Sequence, residues 1–387
     1  MPTAQSESLN ALSRRSRIML AVYIFNICLA VFGCASTSGS DVEPLYFSHT
    51  QPTPNPDSST ITIAAVGDIM LGSPFPNETR MPPNDGADLL KQVTPILSAA
   101  DIAFGNMEGP ITDGGISSKC GTPKPGQPIR CFAFRMPTRY GKYLRAAGFD
   151  IMSVANNHAS DFGDAGRVST RRVLDELGIN HAGSDRSQFS TAYLNVKGVN
   201  VGFIGFAHNN SQPNVNDLAA ARQYVIEADR KADIVVVSFH GGAEGTGAQN
   251  VPKRTETFFG ESRGNLPLFA RTVIDAGADL VLGHGPHVLR GMEIYKDRLI
   301  AYSLGNFATY GWFRLEAETA LTVILETTLD AEGKFVGGKL YSGRQEGRGI
   351  PTLDPTGEAV RKIRTLSQTD FGATAPKIDD DGVISVK

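Results

Sequence analysis

Residues 60–68 read TITIAAVGD, a short apolar and β-branched run that ends in a glycine and an aspartate. Such a run is typical of a buried β-strand, and it places Asp68 where the strand ends. The arrangement recurs at least five times: an apolar strand stops at a short segment that contains Asp, Glu, Asn or His. Because ligands bind beyond the carboxyl ends of strands in open α/β sheets, we expect these polar segments to meet at one edge.

Apolar periodicity predicts helices that alternate with these strands, as in an α/β fold. Helices are expected at 87–100, 138–147, 167–177, 217–232, 266–276 and 358–366. Strands are expected at 101–104, 150–155, 233–239, 279–282, 291–295 and 299–304, with a hairpin over 192–207 and further strands between 319 and 340. Two long loops, 109–137 and 241–264, are expected to wall the site.

The first 59 residues are expected to form a targeting segment and a tether. Three arginines precede an apolar run over 18–32 that is too short to span a bilayer but suits a signal peptide. The run ends in VFGC at 31–34, which is similar to the bacterial lipobox, so Cys34 is the expected lipidation site of a cell-envelope protein, periplasmic or outer-surface. An uncleaved signal anchor is the alternative.

Four segments follow from this composition. Residues 1–33 are the expected signal peptide and 34–59 a tether, because 13 of the 25 residues from Ala35 to Ser59 are Ser, Thr or Pro. Residues 60–344 are the expected globular domain, and 345–387 a C-terminal extension.

Charge and cysteine content exclude two classes of protein. With 37 basic and 40 acidic residues, the net charge of −3 argues against nucleic-acid binding through bulk charge. Four cysteines are too few for a disulfide scaffold. Cys120 and Cys131 lie in one predicted loop and are expected to form a disulfide in an oxidising compartment, with two free thiols as the alternative.

The polar residues at the strand ends are of the types that bind divalent metals through carboxylate, amide and imidazole groups. Four of the seven histidines lie there, together with Asp68, Glu108 and Asn157. The set is large enough for one or two ions, with Glu108 as a bridging carboxylate. The structural alternatives are a turn cap for Asp68, a core position for His240 and a side-chain turn bond for Asn157.

Other residues are expected around the substrate. Arg135, with Lys253, Arg254 and Arg263 of the second loop, is positioned to meet an anionic substrate, or else forms a solvated basic surface. His181 and His208 follow apolar segments and are expected to be structural or peripheral to the site, and of the two His208 is the candidate to touch substrate. Asn306 either orients a ligand or turns the chain.

The strand-end motifs jointly resemble the CapA family, which is linked to poly-γ-glutamate capsule synthesis and is related to calcineurin-like metallophosphoesterases. The resemblance runs from about residue 60 to 340. The motifs are GDIM at 67–70, GNME at 105–108, NNHASDFG at 156–163, HGGAE at 240–244, GHGPHV at 283–288 and YSLGNF at 302–307.

The resemblance implies a four-layer α/β/β/α sandwich with metals at the strand ends. It assigns metal binding to Asp68, Glu108, Asn157, His240, His284 and His287. It also makes His158 the general acid, with Asp161 to orient it and Glu244 to hold His240 or to meet substrate.

Five features depart from the pattern of these families. Glu108 stands where phosphoesterases have an aspartate, and His284 and His287 are spaced by three residues rather than two. Met70 stands where phosphoesterases have a histidine, and Gly241 and Gly285 stand where bulkier side chains are usual in CapA proteins. The two glycines are expected to open space near the site.

The sequence as a whole predicts a lipid-anchored protein that assembles or processes an anionic envelope polymer such as poly-γ-glutamate, using divalent ions (Mn, Fe, Zn or Mg). Expected partners are the anionic polymer or a phosphoester substrate, the membrane and other capsule-synthesis proteins, but no nucleic acid. The alternatives are a non-catalytic scaffold or export component, and a general envelope metallophosphoesterase.

Overall fold

The computed structural model describes residues 60–120, 131–185, 188–210 and 212–386, except for the side chains of residues 184–190. The expected signal peptide, tether and lipidation site at Cys34 lie outside the described residues and stay predictions. Residues from Thr60 onward form one compact unit. Among the described residues, no helix combines the length and the apolar character that crossing a bilayer requires.

The strands of the described chain alternate with helices over most of its length. They are β1 (Ile61–Met70), β2 (Ile102–Met107), β3 (Ile151–Ser153), β4 (Asn180–Asp185), β5 (Gln188–Val196), β6 (Val199–Ala207), β7 (Ile234–His240), β8 (Glu256–Phe258), β9 (Glu261–Gly264), β10 (Leu280–His284), β11 (Met292–Tyr295), β12 (Arg298–Ala301), β13 (Asn306–Thr309), β14 (Leu321–Leu329), β15 (Phe335–Glu346), β16 (Ile350–Leu353), β17 (Lys377–Ile378) and β18 (Val383–Ser385).

The α-helices are α1 (Thr94–Leu97), α2 (Gly141–Ala146), α3 (Gly163–Glu176), α4 (Leu218–Asp229), α5 (Leu266–Asp275) and α6 (Glu358–Phe371). Short 3₁₀ helices lie at Pro83–Gly86, Thr138–Tyr140, Thr246–Ala248, Ala317–Thr319 and Gly372–Thr374.

Hydrogen bonding connects most of these strands in the order β11-β12-β10-β7-β6-β5-β4-β3-β2-β1-β14-β15-β18-β17. The strands that end at polar motifs are parallel: β1 pairs with β2 and β2 with β3, whereas β7 pairs with β6 and β10. Parallel pairing brings the carboxyl ends of neighbouring strands to the same edge. The polar segments therefore lie side by side within each half of the sheet, at the ends of β1, β2 and β3 in the first half and of β6, β7 and β10 in the second.

Alternate side chains of each strand reach different hydrophobic clusters, and this divides the fold into layers. Along β1, Ile61, Ile63 and Ala65 belong to a central cluster that also contains Val201 and Phe203 of β6. Ala64 and Val66 instead join a second cluster with residues of the α1–α3 region, and a third cluster packs β6, β7 and β10 against α4 and α5. The layers are helix, sheet, sheet and helix, so the predicted four-layer α/β/β/α sandwich is confirmed.

Two elements differ from the sequence prediction. Residues 87–93 form successive turns with hydrogen bonds between residues three apart, and only Thr94–Leu97 is α-helical. Pro95 at the start of α1 has no N–H to continue an α-helical ladder from the preceding turn. The apolar residues of this segment are buried all the same. The expected loop 241–264 contains the antiparallel hairpin of β8 and β9.

The C-terminal residues pack on the same core. Strand β15 continues without interruption past residue 344 to Glu346 and pairs with both β16 and β18. Ala359, Val360 and Ile363 of α6 are buried in the central cluster. Residues 345–386 are therefore integrated into the sandwich.

Candidate metal centre

The two halves of the sheet meet at a buried polar site. Asp68 lies near the end of β1 in register with Asn106 of β2, and His240 at the end of β7 is in register with His284 of β10. Glu108 follows β2 directly, and its Oε2 lies 3.4 Å from Nδ1 of His240. The contact joins the first half of the sheet to the second, so the site exists only when both halves are folded.

Three of these side chains form the tightest group of possible metal ligands among the described residues. One ligand atom each from Asp68, Glu108 and His240 lies within 4.8 Å of the others, and all three residues are fully buried. Oε1 of Glu108 and both ring nitrogens of His240 have no hydrogen-bond partner. Buried polar atoms are nearly always paired, so unpaired ligand atoms that face one another fit a cation between them.

Two asparagines to which the sequence analysis gave no role orient the carboxylates. The Nδ2 group of Asn106 donates to Asp68 Oδ1 and to Glu108 Oε2, at 2.8 Å each. Asn156 Nδ2 donates to Asn106 Oδ1 at 3.3 Å and to the Met107 carbonyl at 2.7 Å. Asn106 thus orients two acidic side chains at once, and Asn156 orients Asn106. The sequence feature that could have pointed to both residues is their position within the GNME and NNHASDFG motifs.

The carboxylates of the site are held close together away from water. Burial and the charge of Asp68 raise the pKa of Glu108 well above its ordinary value. Burial lowers the pKa of His287, but its hydrogen bond with Asp68 and the charges of Asp68 and Glu108 outweigh burial and raise it to about 9. The site therefore holds a proton on His287 as a counter-charge, which a bound cation would replace.

The other two predicted imidazole ligands are neutral. Burial lowers the pKa of His240 well below its usual value, and nearby histidines lower it further. Burial also lowers the pKa of His284. Nε2 of His284 donates to the Val66 carbonyl at 3.1 Å and leaves the buried Nδ1 without a partner. A neutral ring held by a carbonyl on one nitrogen, with the other nitrogen free, is the form in which histidine binds metals.

His287 has a different environment from the other two. Its Nδ1 lies 2.8 Å from Asp68 Oδ2 and 3.1 Å from Asn306 Oδ1, and since both oxygens are acceptors, Nδ1 carries the proton. In this arrangement His287 is a partner of Asp68, and Asn306 orients His287. The buried Oδ1 of Asn157 has no hydrogen-bond partner and is free to bind a ligand.

His158 and Asp161 form a pair beside the carboxylates. Nδ1 of His158 donates to Asp161 Oδ2 at 2.7 Å, so Nε2 faces the site, 3.9 Å from Glu108 Oε1. Burial lowers the pKa of His158 despite the neighbouring Asp161. The Phe134 ring stacks on the imidazole at 4.0 Å. The ring is fixed in place with one nitrogen directed at the site.

Lys119 is a further member of this pair that the sequence analysis did not identify. Its Nζ lies 2.9 Å from Asp161 Oδ1, while the Phe134 N–H donates to Asp161 Oδ2 at 2.8 Å. The structure has a disulfide between Cys120 and Cys131, with a Cα–Cα distance of 5.8 Å. The disulfide therefore connects the two chain segments that hold Asp161.

The residues predicted to bind substrate are dispersed. Arg135 stacks over the Phe162 ring at 5.1 Å, and its Nε has no partner. His208 lies against His240, with a ring-centroid distance of 5.9 Å, and burial and Arg263 lower its pKa to about 4. Glu244 accepts a hydrogen bond from Arg263 at 2.8 Å and has no described contact with His240.

Two sequence-based expectations about this region are wrong. Arg263 is buried and bonded to Glu244 and Glu261, so it does not present a free charge to a substrate. Gly241 and Gly285 do not open space, because a Cβ atom at Gly285 would lie 2.8 Å from the Gly241 carbonyl oxygen. A Cβ atom at Gly241 would lie 2.8 Å from the Arg263 carbonyl oxygen. These glycines allow the chain segments after β7 and β10 to pack closely.

The residues present fit a divalent metal centre. Unpaired oxygen and nitrogen atoms of Glu108, Asn157, His240 and His284, together with the Asp68 carboxylate, are the donor types that Mn, Fe and Zn accept. Met70, which is buried two residues after Asp68, supplies no nitrogen.

Comparison with known sequences places this chain near one group of proteins. A family model described as "Bacterial capsule synthesis protein PGA_cap" matches residues 62–310. The chain is 29% identical to the "Capsule biosynthesis protein CapA" of Bacillus anthracis, over 85% of this chain and 78% of that protein. It is 32% identical to the "PGA biosynthesis protein CapA" of Bacillus subtilis, over 66% of this chain and 65% of that protein.

Solved structures are more distant. A 5'-nucleotidase precursor from Thermus thermophilus is similar with a TM-score of 0.40 at 15% identity, over 80% of this chain and 59% of that protein. At these values the likeness supports no inference about function.

Proposed function

Because the chain belongs to the bacterial capsule synthesis protein family PGA_cap, we propose that it is a metal-dependent hydrolase of capsule assembly or processing. Its substrate would be an anionic envelope polymer such as poly-γ-glutamate, or a phosphoester formed during polymer synthesis. Relatives named for capsule and PGA biosynthesis support the polymer. The proposed reaction rests on the chemistry of the site.

The observation that carries the proposal is the buried group of Asp68, Glu108 and His240, whose ligand atoms are within 4.8 Å of each other. A divalent ion bound there would polarise a substrate oxygen and lower the pKa of a bound water. Asn106 would keep both carboxylates directed at the ion, because its amide already donates to both.

His158 is the proposed proton donor. Its Nδ1 proton is donated to Asp161, so Nε2, which faces Glu108, is the nitrogen that takes up a proton and transfers it. Stacking of Phe134 on one face of the imidazole excludes water there and prevents the ring from turning away. A histidine fixed in this way is arranged to protonate a leaving oxygen.

The cellular setting is part of the same proposal. The apolar run over 18–32 and Cys34 support a lipid-anchored protein of the cell envelope, with the hydrolase unit held by the tether of residues 34–59. A disulfide between Cys120 and Cys131 agrees with an oxidising compartment. Other capsule-synthesis proteins would be its partners.

A non-catalytic role is the second candidate function, and Met70 favours it. This residue is buried at the end of β1 and offers no metal ligand where phosphoesterases have a histidine. A scaffold or export component would keep the fold and bind a metal without turnover. A general envelope metallophosphoesterase would use the same residues on other esters.

Hydrolysis of bis-p-nitrophenyl phosphate by the full-length protein with Mn²⁺ or Zn²⁺ separates these functions. We expect His158→Gln to reduce kcat about 100-fold or more, as is usual when a general acid is removed. His181→Gln, a histidine that pairs with Asp175 outside the site, is the matched control and should retain activity. No metal-dependent hydrolysis would favour the scaffold, whereas equal rates in both variants would contradict the role of His158 as the proton donor.

A further inference from the structure

Two arginines and the single tryptophan of the chain converge beside the Phe134 ring, which stacks on His158. Arg80 belongs to the segment that follows β1, Trp312 follows β13, and Arg348 lies in the turn between β15 and β16. Hydrogen bonds hold the three segments together: the Gly311 N–H donates to the Arg348 carbonyl at 2.7 Å, and Arg348 Nη1 donates to the Thr79 carbonyl. The group is thus built by three separate parts of the fold.

The positive charges of this group are not neutralised. The Arg348 guanidinium donates to the Thr79 carbonyl at 2.6 Å, and that of Arg80 lies 3.9 Å from the centre of the Trp312 ring. Within the described part of the chain, neither guanidinium has an ion pair with a carboxylate, whereas most other described arginines do. Burial and then the charge of Arg348 lower the pKa of Arg80. Two adjacent guanidiniums that repel each other are stabilised by a bound anion.

Aromatic rings connect this group to the proposed proton donor. Trp312 contacts the Phe134 ring at 5.1 Å, and Phe134 stacks on His158 at 4.0 Å. Laid end to end, these distances place the Arg80 guanidinium no farther than about 13 Å from the His158 ring. That span is about four residues of a fully extended α-linked peptide chain, at roughly 3.3–3.6 Å each, and fewer residues of a γ-linked chain, whose backbone is longer in each unit.

We propose that Arg80, Arg348 and Trp312 form a binding subsite for a carboxylate of a polyanionic chain whose reacting part lies at the metal centre. This inference rests on the proposed function and deepens it by assigning residues that bind the substrate away from the reacting bond. The two guanidiniums bind the carboxylate, and Trp312 packs against the apolar part of the repeat unit. A repeating polyanion would reach both places at once, whereas a small anion would occupy only one.

Trp312 makes the subsite directly measurable, because it is the only tryptophan of the chain. The full-length protein is titrated in EDTA, so that binding is observed without metal or turnover. The probes are poly-γ-glutamate, free glutamate and inorganic phosphate. We expect a saturable change of tryptophan fluorescence with the polymer, weaker binding as salt increases, and at least tenfold weaker binding of free glutamate.

The variants test the residues. Arg80→Gln with Arg348→Gln should weaken polymer binding at least tenfold and leave the rate of hydrolysis of a small ester unchanged. Arg314→Gln is the matched control: it lies two residues from Trp312 but pairs with Glu316 at 2.8 Å, and polymer binding should be retained. A thermal melt of each variant excludes loss of folding as the cause.

Three results would overturn the inference: no fluorescence response to the polymer, equal affinity in the double variant, or phosphate binding as tightly as the polymer. Each of these leaves hydrolysis of the small ester unaffected, so the subsite can fail while the proposed hydrolase stands. The reverse outcome, polymer binding without any hydrolysis, would support the subsite and contradict the proposed hydrolase.

Discussion

At the residue scale, the side chains that enable the site to bind a cation also lower the stability of the metal-free protein. Two carboxylates, those of Asp68 and Glu108, are buried within reach of one amide donor, and like charges so close together repel each other. Protonated His287 offsets part of this repulsion. A site designed only for stability would not contain both acids.

The first prediction concerns Glu108→Gln. Glutamine keeps the shape of the side chain and its hydrogen bond with Asn106 but carries no charge. Since burial and Asp68 raise the pKa of Glu108, its ionised form destabilises the metal-free protein as pH rises above 4.5. We expect the variant to bind metal at least tenfold more weakly and to melt at a higher temperature than the wild type in EDTA at pH 7.

Glu78→Gln is the control, because Glu78 is exposed and lies outside the site. It should change neither the metal affinity nor the melting temperature by a measurable amount. Unchanged metal binding in Glu108→Gln would contradict the assignment of Glu108 as a ligand.

The second prediction concerns the proton on His287. Its pKa in the folded protein is about 9, above the ordinary 6.5. The protonated ring therefore stabilises the metal-free protein fully below pH 6.5, and this contribution is lost as pH rises through about 9. A cation beside Asp68 competes with that proton, so metal affinity should increase between pH 6.5 and 9.

Calorimetry in two buffers of different ionisation enthalpy measures the effect. Metal binding at pH 7.5 should release about one proton more from the wild type than from His287→Gln. The same heat difference between buffers for both proteins would show that His287 does not exchange its proton for the metal.

At the element scale, loops and turns hold the site residues that the strands do not supply. Lys119 and Phe134 both bond to Asp161, and the disulfide between Cys120 and Cys131 joins the segments that carry them. On the other side of the centre, the buried Arg290 makes paired hydrogen bonds with Glu256 of β8 at 2.8 and 2.9 Å. It fixes the chain between His240 and the β8–β9 hairpin.

The third prediction tests the disulfide. The bridge joins residues 11 apart, and closing a loop of that length stabilises the folded state by about 2–3 kcal/mol. Reduction should lower the melting temperature of the wild type by several degrees and reduce kcat, because Asp161 loses its two fixed partners.

The variant with Cys120→Ser and Cys131→Ser is the matched control for the reductant. It should melt at the temperature of the reduced wild type and show no further change when the reductant is added. A further decrease would mean that the reductant acts elsewhere.

An element could be predicted from the sequence when the residues that determine it lie within a few positions of one another. The strand before Asp68 and the hairpin that turns at Lys197-Gly198 follow from residues within a few positions, and both lie where expected. The helix expected at 87–100 is mostly turns because Pro95 interrupts it. The β8–β9 hairpin was missed because Glu256 is held by Arg290, which is distant in sequence and carries no local signal.

At the scale of the whole molecule, the site is a product of the sandwich. The edge of the sheet was predictable, since polar residues at the ends of parallel strands converge. The pairing of individual side chains was not: Asn106 meets Asp68 across 38 residues, and His287 meets Asp68 across 219. Contacts of this kind depend on register and on the angle between the sheet halves, and a single sequence contains neither.

The same scale explains why Gly241 and Gly285 were misread. Their small size suggested empty space, but two backbone segments from neighbouring strands approach so closely that a Cβ atom would collide with a carbonyl oxygen. The glycines serve the packing of the site wall.

The central claim is that the group of Asp68, Glu108 and His240 binds a divalent metal ion, and metal content tests it most directly. The full-length protein and its His240→Gln variant are dialysed to equilibrium against Mn²⁺ or Zn²⁺, and the bound metal is counted by mass spectrometry. We predict that the folded wild type retains one or two ions per chain and that the equally folded variant retains at least one ion fewer. No retained ion in the wild type, or the same metal content in both proteins, would contradict the claim.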